Sequence, residues 1–306
     1  MSLLRRLLSS RGFLVALVWL ACVVALHLGQ IRHDRLSLDL ARTFPAGEPA
    51  PPPGAVLATT LAAIMEHELQ GGFGWRPNDF VLWGPHLWAD NNANRQLGIL
   101  QAVRETMRVM KDHLTKVSSD PYDENLVEAD TVFRNDARRL WMPAAESRYR
   151  RGVRYLREYV RGLGPALRTS KPITQRHMEL LRLFQAWSDL LGGAHANLYL
   201  STTQDRPLRP WETDDLFYHA QGYAHVMGHC MRALAREYAR DLEERPVLAT
   251  LFDEVGRSLL AAAELKPLVV LDGSPAGIFA NHRRNLDGFI TEARQKIYSI
   301  REELEK

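Results

Sequence analysis

Four carboxylates and two histidines are the residues best placed to do chemistry. Asp79, Asp90, Asp214 and Asp215 could supply an acid/base pair if the fold brings two of them together. Each also has a local role. Asp90 and Asp214 stand at expected helix starts, where a carboxylate caps backbone N–H groups, and Asp79 follows Asn78 in a turn. Capping is the expected role. His225 and His229 are one helical turn apart, the spacing of a shared zinc ion. Their face also carries Gln221, Arg232 and Arg236, opposite an apolar stripe, and arginines beside a dication are unfavourable. They are expected to be surface histidines on a solvated face, with no metal. His67-Glu68-Leu69-Gln70-Gly71 starts like a zinc-protease helix but has glycine where the second histidine belongs. Gly273-Ser274-Pro275-Ala276-Gly277 places serine wrongly for a nucleophile elbow, so it reads as a turn.

Arg150, Arg154, Arg157 and Arg161 follow helical spacing and form one stripe, flanked by Arg148 and Arg151. Such a stripe suits anionic headgroups or an acidic partner, although Glu158 interrupts it and a solvated face is its ordinary role. Gly71 to Asn92 holds Trp75, Trp83 and Trp88 among glycines and prolines that fit no regular period. So aromatic a stretch is either a structural plug or a ligand groove, and burial is expected because each tryptophan carries a large apolar surface. Gly74 and Pro77 are expected to shape its entry, with Asn78 and Asp79 bonding nearby backbone amides.

The elements that must position these residues are helices. Charge excludes one function class first. Residues 1–35 hold Arg5, Arg6, Arg11, Arg32 and Arg35 against Asp34. Taking those six from the chain's 39 basic and 36 acidic residues leaves a net of −1. A nucleic-acid binder needs a clustered phosphate-neutralising surface, so none is expected. Phe13 to Leu28 is apolar apart from His27, and residues 12–31 approach the about 20 residues of a membrane span. The arginines before it predict a cytoplasmic N-terminus, residues 1–11, at a bacterial inner membrane, with the body in the periplasm. No A-x-A-like cleavage site follows the run, which favours an uncleaved anchor. Residues 32–55 form a linker whose proline run is stiff. Cys22 and Cys230 cannot meet, so no disulfide is expected.

Residues 56–306 read as an all-α, multi-helix bundle. The pattern predicts helices over Val56–Gln70 and from Asp90–Asn94 to about Leu114. It predicts others from Asp120-Pro121 to Trp141, from Pro143 to Leu163, and from about Pro172 to Leu198. Further ones run from a Thr213 cap to about Leu242, from Pro246 to Leu265, and from Ile278 or Asn281 to the end. Pro267 to Gly277 is strand-like but too short and alone for a sheet.

The segments GFGWRPND, DNNANRQLGILQAVR, WMPAAESRYRRGVRYL, TDDLFYHAQGYA and GIFANH together resemble a bacterial family of unknown function. The resemblance covers most of the chain after residue 56. It implies a membrane-anchored helical envelope protein and brings no catalytic residue with it. Two functions then compete. The first is a non-enzymatic body that holds or recruits an envelope partner at the membrane. The second is an envelope enzyme or ligand binder whose cleft joins Trp75, Asn78, Asp79 and Asp90 to Asp215, Tyr218, Asn281 and His282. Convergence of these groups on an open pocket favours the second, and burial among mutual hydrogen bonds favours the first. No cofactor is called for, and the sequence leaves the oligomeric state open.

Overall fold

Apolar residues at helical spacing become helices almost throughout. The computed structural model describes residues 11–33, 36, 38–44, 50–71, 74–79, 90–116, 121–174, 177–200, 202–203, 206–267, 270–274 and 278–306. Helix α1 (Arg11–His33) and a single turn, α2 (Leu40–Thr43), come first. The body follows as α3 (Ala55–Gln70), α4 (Asn91–Val109), α5 (Glu124–Phe133), α6 (Ala145–Leu163), α7 (His177–Tyr199), α8 (Pro210–Glu237), α9 (Ala239–Glu243), α10 (Pro246–Glu264) and α11 (His282–Glu305). A two-residue antiparallel pair, Thr202–Thr203 with Arg206–Pro207, and an isolated bridge between Asp272 and Asn281 are the extended pairings among the described residues. The chain is an all-α, multi-helix body.

Helix α8 is its axis. It packs on α4, α10, α3 and α7. Phe217, Ala224, Val226, Met227, Cys230, Met231 and Leu234 are fully buried along it. Its approach to α4 is set by two glycines. A Cβ on Gly98 would stand 2.1 Å from the His219 carbonyl oxygen, and one on Gly222 would stand 2.2 Å from that of Arg95. Backbone meets backbone, and no larger residue fits either position. Elsewhere Trp187 of α7 is buried with its indole N–H donating to Thr106 Oγ1 of α4 at 3.0 Å.

The N-terminus of α3 is satisfied from a distance. Glu237, at the last turn of α8, accepts from the backbone N–H groups of Gly54, Val56 and Leu57 at 3.0, 2.7 and 3.3 Å. These are the donors that a helix start leaves without intrahelical partners. Gly54 has φ +97°, and the Pro53 carbonyl accepts from Ile173 N–H at 3.1 Å. Leu36, Leu38, Leu40 and Phe44 pack on the core, and Arg236 donates to the Phe44 carbonyl at 2.8 Å. The described part of the segment before α3 therefore lies against the body.

Several boundaries differ from expectation. The helix expected to reach Trp141 stops at Phe133, and Asp123, not Asp120, caps its start through Leu126 N–H at 3.2 Å. Arg104 captures the Phe133 and Asn135 carbonyls at 2.7 Å each, which fixes the chain after the break. Helix α8 starts at Pro210 rather than after Thr213. Glu212 reaches back to the Arg209 N–H at 2.9 Å, half of a capping box. Helix α4 ends in a wide turn, Met110–Leu114, where Thr115 N–H and hydroxyl both reach the Met110 carbonyl at 3.0 Å. Among the described residues no helix is long and apolar enough to cross a membrane. The expected transmembrane helix thus gains no support from them.

Candidate functional site

The residues singled out for a cleft fall into three places. The first lies beneath the irregular chain that joins α5 to α6. Trp75 is 2% exposed, donates from Nε1 to the Ala137 carbonyl at 2.9 Å and meets the Tyr149 ring edge-on at 5.1 Å. Asn78 is buried and donates from Nδ2 to the Arg139 carbonyl at 3.1 Å and to Glu146 Oε2 at 2.9 Å. Asp79 pairs with Arg76. Burial raises its carboxyl above the ordinary range, against the pull of Arg76. Asn78 thus bonds a distant carbonyl and a carboxylate instead of nearby amides. Residues 80–89, with Trp83 and Trp88, lie outside the described residues.

The second place gathers carboxylates from two helices. The glycine crossing lays the start of α4 beside the start of α8. There Asn94 donates to Asp215 Oδ1, and Asp90 is buried close to Asp214 and Asp215. Burial, then the charge of Asp90, pushes Asp214 and Asp215 each up to about 7. The capping role expected of Asp90 and Asp214 does not hold. Asp90 makes no side-chain cap, and Asp214 stands four residues inside α8, where it accepts from Asp215 N–H at 3.0 Å. Tyr218, one turn on, donates to the Pro267 carbonyl at 3.1 Å.

The third place is the start of α11. Asn281 caps it, accepting from Arg284 N–H at 2.9 Å while donating to Asp272 Oδ1 at 3.0 Å and to the Gly273 carbonyl at 2.7 Å. His282 Nδ1 accepts from Leu271 N–H at 2.9 Å. These two residues hold a turn together. The contacts join Asp90 to Asp215, set Trp75 and Asn78 against one connection, and engage Asn281 and His282 with residues 271–273.

The histidines require a correction. His225 and His229 are buried, as is Gln221, because α3 and α4 cover the face expected to meet solvent. That cover is polar. Arg95 of α4 donates to both Glu68 oxygens at 2.9 and 3.0 Å, and Gln96 donates to Glu68 Oε2 at 3.1 Å. The two imidazole rings lie edge-on at 4.8 Å. Burial pushes His225 well below the ordinary range and His229 down to about 4, so both are neutral at pH 7. Among the described residues no group of three or more His, Cys, Asp and Glu side chains could hold a metal ion.

On α6, Arg150, Arg154, Arg157 and Arg161 all face outward, and Arg157 meets Glu66 of α3. One pairing was invisible to sequence reasoning. His195 Nδ1 lies 2.7 Å from Asp287 Oδ1, and Thr291 Oγ1 lies 3.3 Å from the same nitrogen. An oriented histidine of this kind can act as a base. The residues come from α7 and α11, so no local motif announces them.

A family model described as an uncharacterized protein conserved in bacteria (DUF2333) matches residues 7–206 and 201–306. The chain belongs to this family. Membership extends the resemblance seen in the helical segments to nearly the full length, and it assigns no activity. No curated protein and no solved structure matches the chain.

Two outcomes follow for this family member. Trp75→Ala removes a fully packed indole and its hydrogen bond, so it should lower stability by about 3–5 kcal/mol in urea unfolding; an unchanged midpoint would make Trp75 a surface platform. The carboxyls of Asp214 and Asp215 are raised in the folded state, so their stabilising share is complete below about pH 4 and is lost as pH rises through about 7. Asp215→Asn should therefore gain stability over the parent at about pH 8 and lose that gain near pH 4. Equal differences at both pH values would show that the carboxyl is not perturbed.

Proposed function

We propose that the chain is a membrane-anchored helical body that faces the periplasm and holds or recruits an envelope partner at the bacterial inner membrane. The observation that carries this reading is the use made of the cleft residues. Trp75 and Asn78 hydrogen-bond to the backbone of the α5–α6 connection, and Asn281 and His282 hydrogen-bond to the backbone at Gly273 and Leu271. Side chains so engaged hold a fold together and are poorly placed to bind a substrate in common. Support for the anchor comes from α1, where Phe13, Leu14, Val15, Leu17, Val18, Leu20 and Val24 point outward, and from the arginines that precede it.

A second reading, an envelope enzyme or ligand binder, draws on the Asp90, Asp214 and Asp215 cluster. Two carboxyls that titrate at about 7 beside a third are suited to general acid/base work.

Topology tests the first reading. A C-terminal alkaline phosphatase fusion to the full chain should be active, and a fluorescent protein that matures only in the cytoplasm should stay dark. An inactive phosphatase with a bright fluorescent fusion would overturn the orientation. A mature chain lacking about its first thirty residues would show a cleaved leader instead of an anchor.

A further inference from the structure

The chain between α5 and α6 has a backbone pinned at Asn135, Ala137 and Arg139, followed by an exposed apolar run. Arg138 to Pro143 are exposed without interruption. Within them Leu140, Trp141 and Met142 have 42%, 80% and 93% of their surface in solvent. The backbone that leads into the run is held at several points. The Ala137 carbonyl accepts from Trp75, and the Arg139 carbonyl accepts from both Asn78 and the Ala145 N–H. The Asn135 carbonyl accepts from Arg104 and from the Tyr149 hydroxyl at 2.8 Å. Ordering a loop has an entropic cost. Here that order presents a Leu-Trp-Met run to water, whereas single exposed apolar residues need no explanation.

Cationic side chains flank the run in sequence. Arg138 and Arg139 precede it, and Arg150, Arg151, Arg154, Arg157 and Arg161 of α6, the helix that follows it, are all exposed. Apart from Arg157, which meets Glu66, none of these α6 arginines has an ion-pair partner among the described residues. Both glutamates of that helix's length, Glu146 and Glu158, are half-buried. The tether reaches the body along the same helix, since a Cβ on Gly54, where the linker enters α3, would stand 2.6 Å from the Tyr159 hydroxyl of α6.

We propose that the Leu140–Met142 run and the arginine face of α6 dock the body on the anionic lipid surface of a membrane. Tryptophan settles at the headgroup level, and arginines are drawn to anionic leaflets. An acidic protein would match the arginines but would leave Trp141 and Met142 without an apolar layer to enter. The proposal rests on the anchored reading only for nearness to a bilayer. It adds which face of the body touches that bilayer.

The test uses the full chain with Cys22→Ala, reconstituted in phosphatidylglycerol or phosphatidylcholine vesicles. Met142→Cys carries an environment-sensitive fluorophore, and Cys230 is buried. The label should shift to the blue and be quenched by brominated lipid in phosphatidylglycerol but not in phosphatidylcholine. Each Arg→Gln change at 150, 154 or 161 should lower the docked-to-free ratio about five-fold, and added salt should lower it further. Water-like emission in phosphatidylglycerol would overturn the proposal. So would a shift equal in both lipids, or one seen only with native membranes that contain other proteins. Carbonate extraction of the same vesicles reports α1 separately. A chain that resists extraction while its label stays in water fails only the docking. One that is extracted, yet docks its label on phosphatidylglycerol, fails only the anchor.

Discussion

The crossing of α4 and α8 at Gly98 and Gly222 is the contact on which the other placements depend. With built Cβ positions only 2.1 and 2.2 Å from opposing carbonyl oxygens, the two helices meet backbone to backbone. That closeness fixes what lies on either side of it. Toward the helix starts it puts Asp90 and Asn94 beside Asp214 and Asp215, and burial raises the carboxyls of Asp214 and Asp215. Next to the crossing it presses Arg95 and Gln96 onto Glu68 of α3. Farther along α8 it covers His225 and His229, which then lose the charged form. A line of polar groups is thus buried by a steric fit between two residues with no side chain.

The Trp75 region shows a second way in which the core governs the surface. The indole and Asn78 are buried, and each holds a carbonyl of the α5–α6 connection. The exposed run from Arg138 to Pro143 is therefore shaped from below. A stretch that looked like either a plug or a groove acts, in its described part, as a clamp on a neighbouring segment.

The helical body was largely legible. Of the helically spaced Leu97, Leu100, Val103, Met107, Met110 and Leu114, all but the half-buried Leu97 are buried, and Asn281 and Pro246 open the helices expected of them. What was missed depended on partners far along the chain. Glu237 satisfies the start of α3 from 181 residues away at Val56, so no local cap signals it. His225 and His229 share a face with arginines and looked solvated, yet two other helices cover that face. Asp90 looked like a cap because it precedes a helix, but the crossing assigns it to Asp214 and Asp215. Of the candidate site, the Asp90–Asp215 meeting was anticipated as a condition on the fold. The split of the remaining residues into separate places was not, since spacing along a sequence does not reveal which helix ends come together.

The dependence on the crossing can be measured directly by urea unfolding of Gly98→Ala, with Gly193→Ala as the reference. Both glycines lie within helices, but a Cβ on Gly193 meets nothing within 4 Å. Alanine at Gly193 should stabilise the chain by about 0.5–1 kcal/mol through helix propensity. Alanine at Gly98 must push two backbones apart and should cost about 1–3 kcal/mol or more, while returning the Asp215 carboxyl toward its ordinary range as the cluster opens. Two variants of equal, mildly raised stability with an unmoved Asp215 titration would contradict a fold organised on this contact.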